Sequence, residues 1–454
     1  MAGARFHMAH GRTEIQMRRW KAWLTAAVCT LAVLLPVWLW AGLSAPMEHP
    51  PVTPPPVSTA ENTPLLEDAE ELVALIEESH PAFALGQVPE GYETAKTAFF
   101  EAAARPGATP ADFALAAMVY TSALKDSHTR VDPFGGTPQR MLDVAWTAAD
   151  GRLLLLDERG VPSGAEVTAV GGLPTEALFA RLDLCTAAEN PAGRARNREL
   201  WSRYLSILSL FGASISEEGT VALTVLEDGV EWEVAVTSSV PAQVQQPVIS
   251  TEWMGDVFYV DFNQCMPGVE LDKAAGALRQ AVADGCAKVI LDVRGNGGGN
   301  SLTCEELLGA MGMTAPRYGG YIRYSPLARQ ERGYDVAEGG MWMAPDASAA
   351  VGNPAVDLVV LTDAETFSSA TMLGVFVQDG GLGTIVGRPS CNAPSSFGDI
   401  LSFRLSNTGL SGSISHKQWL RPDEGADPTL LHPDVETAVG EDALQRGLTL
   451  LAEQ

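Results

Sequence analysis

The strongest constraint on the fold is an apolar run that ends abruptly in a cluster of glycines. Residues 289–293 (Val-Ile-Leu-Asp-Val) have the composition of a buried β-strand, and residues 294–300 (Arg-Gly-Asn-Gly-Gly-Gly-Asn) follow directly. Glycine adopts backbone conformations that are closed to other residues, so this cluster predicts a tight loop with bare N–H groups. Because ligands bind at the carboxyl ends of strands in open α/β sheets, the loop is predicted to face a ligand.

Two ligands suit such a loop, a phosphate and a carbonyl oxygen that becomes an oxyanion. The dinucleotide-binding pattern needs a third Gly or Ala at the position of Asn300, and the nucleotide phosphate loop needs a Lys followed by Ser or Thr. The chain has neither feature here. The motif therefore favours the oxyanion.

A serine follows a second apolar strand. Residues 356–362 are almost entirely apolar, and a helical pattern begins at Ser368. The first N–H groups of a helix lack internal partners and favour negative charge, so the N–H of Ser369 is a candidate oxyanion donor. Taken alone, a serine in this position is more often a helix cap than a nucleophile.

A histidine follows a predicted amphipathic helix over residues 111–125, which begins with Thr109 as N-cap. Taken alone, His128 just past that helix is more often a structural cap than a base. The chain has seven histidines, and three of them precede the main domain. The candidate bases are therefore His80, His128, His416 and His432.

Together these segments resemble the carboxy-terminal processing (tail-specific) serine peptidases. Residues 291–299 are similar to that family's most characteristic motif, and residues 366–387 to its nucleophile helix and following strand. The resemblance implies an α/β fold with a crotonase/ClpP-like catalytic core and a mainly parallel sheet. It also implies a helical N-terminal lead-in and a β-rich, degenerate PDZ-like middle region. Further similar segments are residues 80–81, 126–129, 397–399, 421–423 and 432–435.

The resemblance also implies roles for individual residues. Ser368 matches the nucleophile, and the N–H of Ser369 with that of Gly298 or Gly299 matches the oxyanion hole. Many family members place a lysine base about 25 positions after the serine. Residues 389–395 contain no lysine, so the usual Ser–Lys pair is excluded.

The tricorn-type core proteases, which share this fold, use a histidine base in a Ser-His pair upstream of the nucleophile. Ser127 and His128 resemble that pair, and a neutral imidazole can take up and return a proton near pH 7. An acidic residue late in the chain would orient the histidine. The candidates are Glu424, Asp427 and Asp434, which the sequence does not rank. Lys417 is a less favoured base and is predicted to face solvent.

Strand and helix patterns alternate from residue 256 onward, which predicts a mainly parallel α/β sheet. In the middle region, residues 164–172 resemble the second half of a PDZ module, and we favour a scaffold role for them. The predicted division is a cytoplasmic N-terminus (1–21), an anchor or signal sequence (22–43), a Pro-rich linker (44–64), a helical region (65–135), a β-rich middle (136–245) and a catalytic domain (246–454).

Residues 22–43 carry no charge and follow Arg18, Arg19 and Lys21. This length suffices to cross a bilayer, and tryptophans stand near both ends. We expect an uncleaved anchor with an extracytoplasmic catalytic domain at a bacterial cell membrane. A cleaved signal sequence, giving a secreted protein, is the alternative.

The net charge of −26 makes nucleic acid a poor partner. The cysteine spacings match no metal motif, and no cofactor or metal is expected. Cys391, near the expected site, is interpreted as pocket lining. The sequence thus predicts a serine endopeptidase that forms an acyl-enzyme with peptide or protein substrates. Because the lysine is missing, a catalytically inactive relative that binds peptides or apolar ligands is the alternative.

Overall fold

The computed structural model describes residues 63–242 and 245–453. It opens with the predicted helical region. The helix predicted over residues 111–125 is confirmed, although it ends three residues earlier than predicted, at Ser122. Thr109 and Asp112 form the predicted N-terminal cap by exchanging side-chain to backbone hydrogen bonds. The helices are α1 (Pro64–Ser79), α2 (Pro81–Leu85), α3 (Tyr92–Ala103) and α4 (Pro110–Ser122).

The predicted anchor at residues 22–43 and most of the Pro-rich linker lie outside the described residues. Within residues 63–242 and 245–453, no helix combines the length and the low polarity that crossing a bilayer requires.

The middle region contains an antiparallel six-stranded sheet in the order β3-β4-β5-β7-β8, with β6 added beside β5. Two further short strands, β2 and β9, pair with each other. The strands are β2 (Met141–Leu142), β3 (Trp146–Ala149), β4 (Arg152–Leu156), β5 (Pro162–Val170), β6 (Leu173–Pro174), β7 (Val221–Glu227), β8 (Val230–Val236) and β9 (Ser238–Ser239).

Between β6 and β7 the chain forms three helices, which the sequence analysis did not predict. They are α5 (Thr175–Cys185), α6 (Pro191–Trp201) and α7 (Leu205–Leu210). The amide nitrogen of Asn190, which caps α6, donates to the carbonyl of Ser390 at 3.0 Å. A Cβ atom on Gly193 would lie 2.6 Å from the Cys391 carbonyl oxygen, so the first turn of α6 packs closely on that loop. The α5–α6 connection is thereby held against the catalytic region.

The catalytic region is built on a six-stranded sheet in the order β10-β11-β12-β15-β16-β19, parallel from β11 onward. This confirms the predicted α/β core. Side chains alternate between its two faces, because successive residues of a strand point to opposite sides. Ile290 and Val359 pack with α12, whereas Val289 and Val360 pack with the other helices. The elements are β10 (Ile249–Met254), β11 (Val257–Phe262), α8 (Val269–Ala283), β12 (Lys288–Asp292), α9 (Leu302–Ala310), β15 (Asp357–Thr362), α11 (Ser369–Asp379), β16 (Thr384–Gly387), β19 (Val435–Glu436) and α12 (Ala443–Glu453).

The register of β12 and β15 brings the glycine loop and the serine segment together. The two strands are parallel neighbours, so the loops that follow them leave the sheet at the same edge. Thr366 donates its hydroxyl to the carbonyl of Val293 at 2.9 Å, and the N–H of Phe367 donates to the carbonyl of Asn296 at 2.9 Å. Two segments about seventy residues apart in sequence thus form one structural unit.

A second sheet, in the order β1-β18-β13-β14 with β17 beside β18, carries the histidine to the same region. Strand β1 begins two residues after His128 and pairs with β18, with Arg130 opposite Ser413. The Ser413 hydroxyl donates to the His128 carbonyl at 2.6 Å. The elements are β1 (Arg130–Asp132), β13 (Gly319–Arg323), α10 (Pro326–Arg332), β14 (Gly340–Met343), β17 (Ser396–Arg404) and β18 (Ser411–Leu420).

Asp126 joins the histidine segment to strand β18. Its buried carboxylate accepts hydrogen bonds from the Ser415 hydroxyl at 2.7 Å and the His128 N–H at 2.9 Å. It also lies 3.1 Å from the Nε2 of His80, whose Nδ1 accepts the Ala82 N–H. His80 therefore carries its proton on Nε2 and donates it to Asp126.

Asp126→Ala is predicted to destabilise the fold by about 3–5 kcal/mol, because it leaves several buried donors without an acceptor. Asp335→Ala removes an exposed carboxylate and should change stability by less than about 0.5 kcal/mol. Urea unfolding of both variants measures the difference. Equal stabilities would show that Asp126 does not hold the helical region to β18.

Candidate active site

Ser368 occupies a strained position immediately before α11. Its backbone angles are φ 54° and ψ −124°, outside the regions that residues other than glycine ordinarily adopt. Its side chain makes no capping hydrogen bond, so the reading of Ser368 as a helix cap is wrong. Such strain persists only where the surroundings fix the conformation, and it concentrates at functional sites.

Gly298 lies directly against this serine. A Cβ atom at that position would come within 2.7 Å of the Ser368 Cβ and 2.8 Å of the Phe367 carbonyl oxygen. Its φ of 94° is also unfavourable for any side chain. Glycine is therefore the one residue that permits this close approach of the loop to the serine.

The oxyanion donors predicted from the sequence divide into two groups. The Gly298 N–H donates to the Oδ1 of Asn296 at 2.8 Å, so that donor is occupied in this structure. The N–H groups of Gly299 and Ser369 donate to no acceptor within the described residues. Gly299 and Ser369 are also joined, because the Ser369 hydroxyl donates to the Gly299 carbonyl at 2.8 Å. The structure thus leaves two neighbouring amides available for an oxyanion.

The structure places a buried carboxylate, which the sequence analysis missed, between the histidine and serine segments. Glu189 lies between α5 and α6, and its Oε1 accepts the Ser127 N–H at 3.0 Å. Its Oε2 accepts the Ala393 N–H at 2.8 Å and the side-chain amide of Asn392 at 2.5 Å. The Oδ1 of Asn392 in turn accepts the Ser368 N–H at 2.9 Å. An unbroken chain of hydrogen bonds therefore connects the neighbour of His128 to Ser368.

The sequence offered one signal for this link. Asn392 stands 24 positions after Ser368, which is close to the position where many family members carry lysine. Glu189 gave no signal of its own, because it precedes an unpredicted helix more than 170 residues from the serine.

The His128 imidazole is buried against Phe367, with ring centroids 4.5 Å apart. Its Nδ1 lies 3.8 Å from the Oδ1 of Asp126 and 4.0 Å from the Oε1 of Glu189. Neither ring nitrogen has a hydrogen-bond partner among the described residues, so the bond from Ser368 to His128 is not formed in this structure. In ligand-free enzymes such bonds are often long and tighten only with substrate.

Burial sets the protonation states of these groups. It lowers the pKa of His128 to about 4, against the opposing charge of Asp126, so the imidazole is neutral at pH 7. Burial, and then the charge of Asp126, raise the pKa of Glu189 to about 7. Burial also opposes ionisation of Asp126, but its interactions with His80 and His128 hold its pKa below the ordinary range. The site therefore pairs a neutral imidazole with an ionised aspartate.

The acids expected from late in the chain are not brought to His128. Glu424 and Asp427 are exposed, and the Oδ2 of Asp427 lies 3.2 Å from the Nε2 of His432. Asp434 accepts the Ile385 N–H at 2.8 Å. The acidic neighbours of the imidazole are instead Asp126 and Glu189. The other predicted catalytic residue, Ser127, contributes its backbone N–H to Glu189.

Lys417 is not the solvent-facing side chain predicted from the sequence. Its Nζ lies 2.5 Å from the Oδ2 of Asp399 and 5.3 Å from the ring centre of Trp419, with 16% of the side chain exposed. This ion pair holds the Lys417 side chain on the Asp399 carboxylate. The arrangement gives no support to Lys417 as an alternative base.

The segment that contains the glycine loop and Ser368 is similar to a known protein family. The family model of peptidase family S41 matches residues 256–437. This confirms the resemblance to carboxy-terminal processing peptidases, and the chain is a serine-type peptidase.

Structures of CPAF share the fold of this chain. Mature CPAF matches with a TM-score of 0.58 at 15% identity, over 86% of this chain and 96% of its own. CPAF complexed with lactacystin gives 0.55 at 14% identity, over 86% and 97%. The photosystem II D1 C-terminal processing protease gives 0.47 at 14% identity, over 84% and 99%. The comparison with curated proteins returned no match.

Gly298→Ala is predicted to lower peptidase activity at least about a hundredfold, because the added methyl group displaces the serine segment. Gly276→Ala is the matched control, since Gly276 lies within α8 and a Cβ there meets nothing within 4 Å. Steady-state cleavage of a peptide library measures both. Full activity of the Gly298 variant would contradict the close approach described here.

Glu189→Gln tests the buried carboxyl group through stability. Because the folded-state pKa of about 7 exceeds the ordinary value, the folded wild type binds a proton that the unfolded chain releases between about pH 4.5 and 7. Binding of this proton adds to the free energy of unfolding at low pH, and the added stability is lost as the pH rises through 7. Relative to the variant, the wild type should be more stable at pH 5 than at pH 8 by on the order of 2 kcal/mol. An unchanged difference between the two pH values would refute a buried carboxyl at this position.

Proposed function

We propose that this chain is an S41 peptidase that cleaves peptide bonds through an acyl-enzyme on Ser368, with His128 as general base. The observation that carries the proposal is the hydrogen-bond chain from Ser127 through Glu189 and Asn392 to Ser368. This chain ties the histidine segment to a strained serine that stands at the start of a helix. A merely structural serine has no need of such a conformation.

In this proposal the imidazole acts as a base through its Nε2. A proton on Nδ1 would point toward the Oδ1 of Asp126 and the Oε1 of Glu189, which are the nearest acceptors. That tautomer leaves the lone pair of Nε2 to take the Ser368 proton as the hydroxyl oxygen attacks the scissile carbonyl. The imidazolium then returns this proton to the leaving amine, and water hydrolyses the acyl-enzyme by the same route in reverse.

The N–H groups of Ser369 and Gly299 stabilise the oxyanion in this proposal. Both lack another acceptor in the described part of the chain, and Ser369 is the first residue of α11. The positive end of the helix dipole therefore adds to the hydrogen bonds. Removing one donor of this kind from a peptidase typically lowers turnover about a hundredfold to a thousandfold.

We further propose that the substrates are extracytoplasmic proteins or peptides and that residues 22–43 anchor the enzyme in the membrane. The support comes from the sequence, in which a long uncharged run follows three basic residues. Fractionation of cells that produce the full chain, with protease protection of the catalytic domain, tests this placement. Recovery of the whole chain in the cytoplasm would overturn it.

A catalytically inactive binding protein is the competing function, since the usual lysine is missing. Two observations argue against this function. The N–H groups of Gly299 and Ser369 have no acceptor among the described residues, and Ser368 has a strained backbone that binding alone does not require. A fluorophosphonate probe separates the two functions directly. Mass spectrometry should find the adduct on Ser368, whereas peptide binding without an adduct would support the binding protein.

Ser368→Ala should abolish peptide cleavage, and His128→Ala should reduce it at least about a thousandfold, because both groups take part in the covalent step. Lys417→Ala is the control and should change activity by less than about fivefold, since it removes an ion pair at the edge of the site. Activity assays on folded variants rank the three. A larger loss for Lys417→Ala than for His128→Ala would favour a Ser–Lys pair instead.

A further inference from the structure

Three ligand-type side chains converge behind the proposed base. Asp126, His128 and Glu189 each offer one donor atom, and these atoms all lie within 4.8 Å of one another. The imidazole contributes Nδ1, and the carboxylates contribute the Oδ1 of Asp126 and the Oε1 of Glu189. One nitrogen and two carboxylate oxygens form a donor set that zinc and similar divalent ions accept.

In each carboxylate, the oxygen of this donor set accepts fewer hydrogen bonds than the other oxygen does. In Asp126, Oδ2 interacts with His80, Thr129 and Ser415, whereas Oδ1 accepts one hydrogen bond from the described residues, that of the His128 N–H. In Glu189, Oε2 accepts two N–H groups, whereas Oε1 accepts one. The less occupied oxygen of each carboxylate is therefore the one that faces the imidazole.

The nitrogen of the set is also without a partner. The His128 side chain is 9% exposed, and its Nδ1 makes no hydrogen bond within the described residues. An unpaired buried nitrogen beside two oxygens at 3.8 and 4.0 Å is a place where a proton or a cation lowers the free energy. Zinc bonds of about 2.0–2.2 Å would require these separations to shrink by roughly half an ångström.

The charge of the surroundings supports a cation. Asp126 and Glu189 bring two carboxylates to the imidazole, and the guanidinium of Arg130, whose NH1 donates to the Ser127 carbonyl at 3.4 Å, opposes them with one positive charge. All three donor atoms come from segments that the Asp126 and Glu189 hydrogen bonds already fix. The site is therefore largely preorganised, which lowers the cost of binding.

We propose that Asp126, His128 and Glu189 bind a divalent transition-metal ion such as Zn²⁺, and that this ion inhibits the peptidase. The inhibitory part rests on the proposed role of His128 as base. With the metal on Nδ1, the neutral imidazole keeps its proton on Nε2, so this nitrogen has no lone pair for the Ser368 proton. The ion is thus a reversible inhibitor that captures the base, and no step of peptide hydrolysis uses it.

Calorimetric titration of the metal-free full chain with ZnCl₂ at pH 8 tests the binding, and the visible absorption of Co²⁺ reports the ligands. We expect one ion per chain. Glu189→Gln should weaken binding at least about tenfold, and His128→Ala should weaken it further and alter the Co²⁺ spectrum. His432→Ala removes an exposed histidine that pairs with Asp427, and it should bind as the wild type does.

Peptidase activity measured in the same titration should fall along the binding curve and recover when a chelator is added. Wild-type affinity in both the Glu189 and the His128 variants, loss of binding in His432→Ala, or no binding at all would overturn the proposal. Stoichiometric binding without inhibition would keep the site and remove its inhibitory role. Because binding is read without substrate, an inactive enzyme would defeat the proposed function and leave the metal site testable.

Discussion

The buried carboxylate of Glu189 is the interaction on which the site depends. It accepts N–H donors from Ser127, which precedes the histidine, and from Asn392 and Ala393, which lie in the loop between β16 and β17. Asn392 and Ala393 are buried, so removing the carboxylate would leave their N–H groups unpaired at a cost of about 1–3 kcal/mol each. Since Glu189 itself sits in the α5–α6 connection, the middle region of the chain contributes directly to the peptidase site.

Buried contacts hold the nucleophile and the base in positions that they would not otherwise adopt. Ser368 has unfavourable backbone angles, and the Asn392 hydrogen bond and the close contact with Gly298 hold them in place. Asp126 does the same for the histidine segment by joining it to β18. The nucleophile is therefore positioned by Asn392 and the base by Asp126. The two parts of the site come together where Glu189 lies beside the His128 imidazole.

Local patterns predicted the parts of the fold that depend on neighbouring residues. The α4 cap at Thr109, strands β12 and β15 and the glycine loop follow from propensity and periodicity, and the structure has them. The family resemblance supplied the catalytic core. Glu189 could not be found in this way, because its function depends on the docking of a polar helix whose sequence carries little apolar pattern. The late acids failed as partners of His128 for a related reason: sequence order does not determine which carboxylate is buried beside an imidazole.

The central claim is that Glu189 and Asn392 act as one unit in positioning Ser368. A double-mutant cycle with Glu189→Gln and Asn392→Ala, read as the rate constant for fluorophosphonate labelling of Ser368, tests it most directly. If the hydrogen-bond chain is the positioning device, either substitution breaks it, and the double variant is labelled about as slowly as the slower single variant. Rate losses that simply multiply, leaving no coupling between the two residues, would contradict the account.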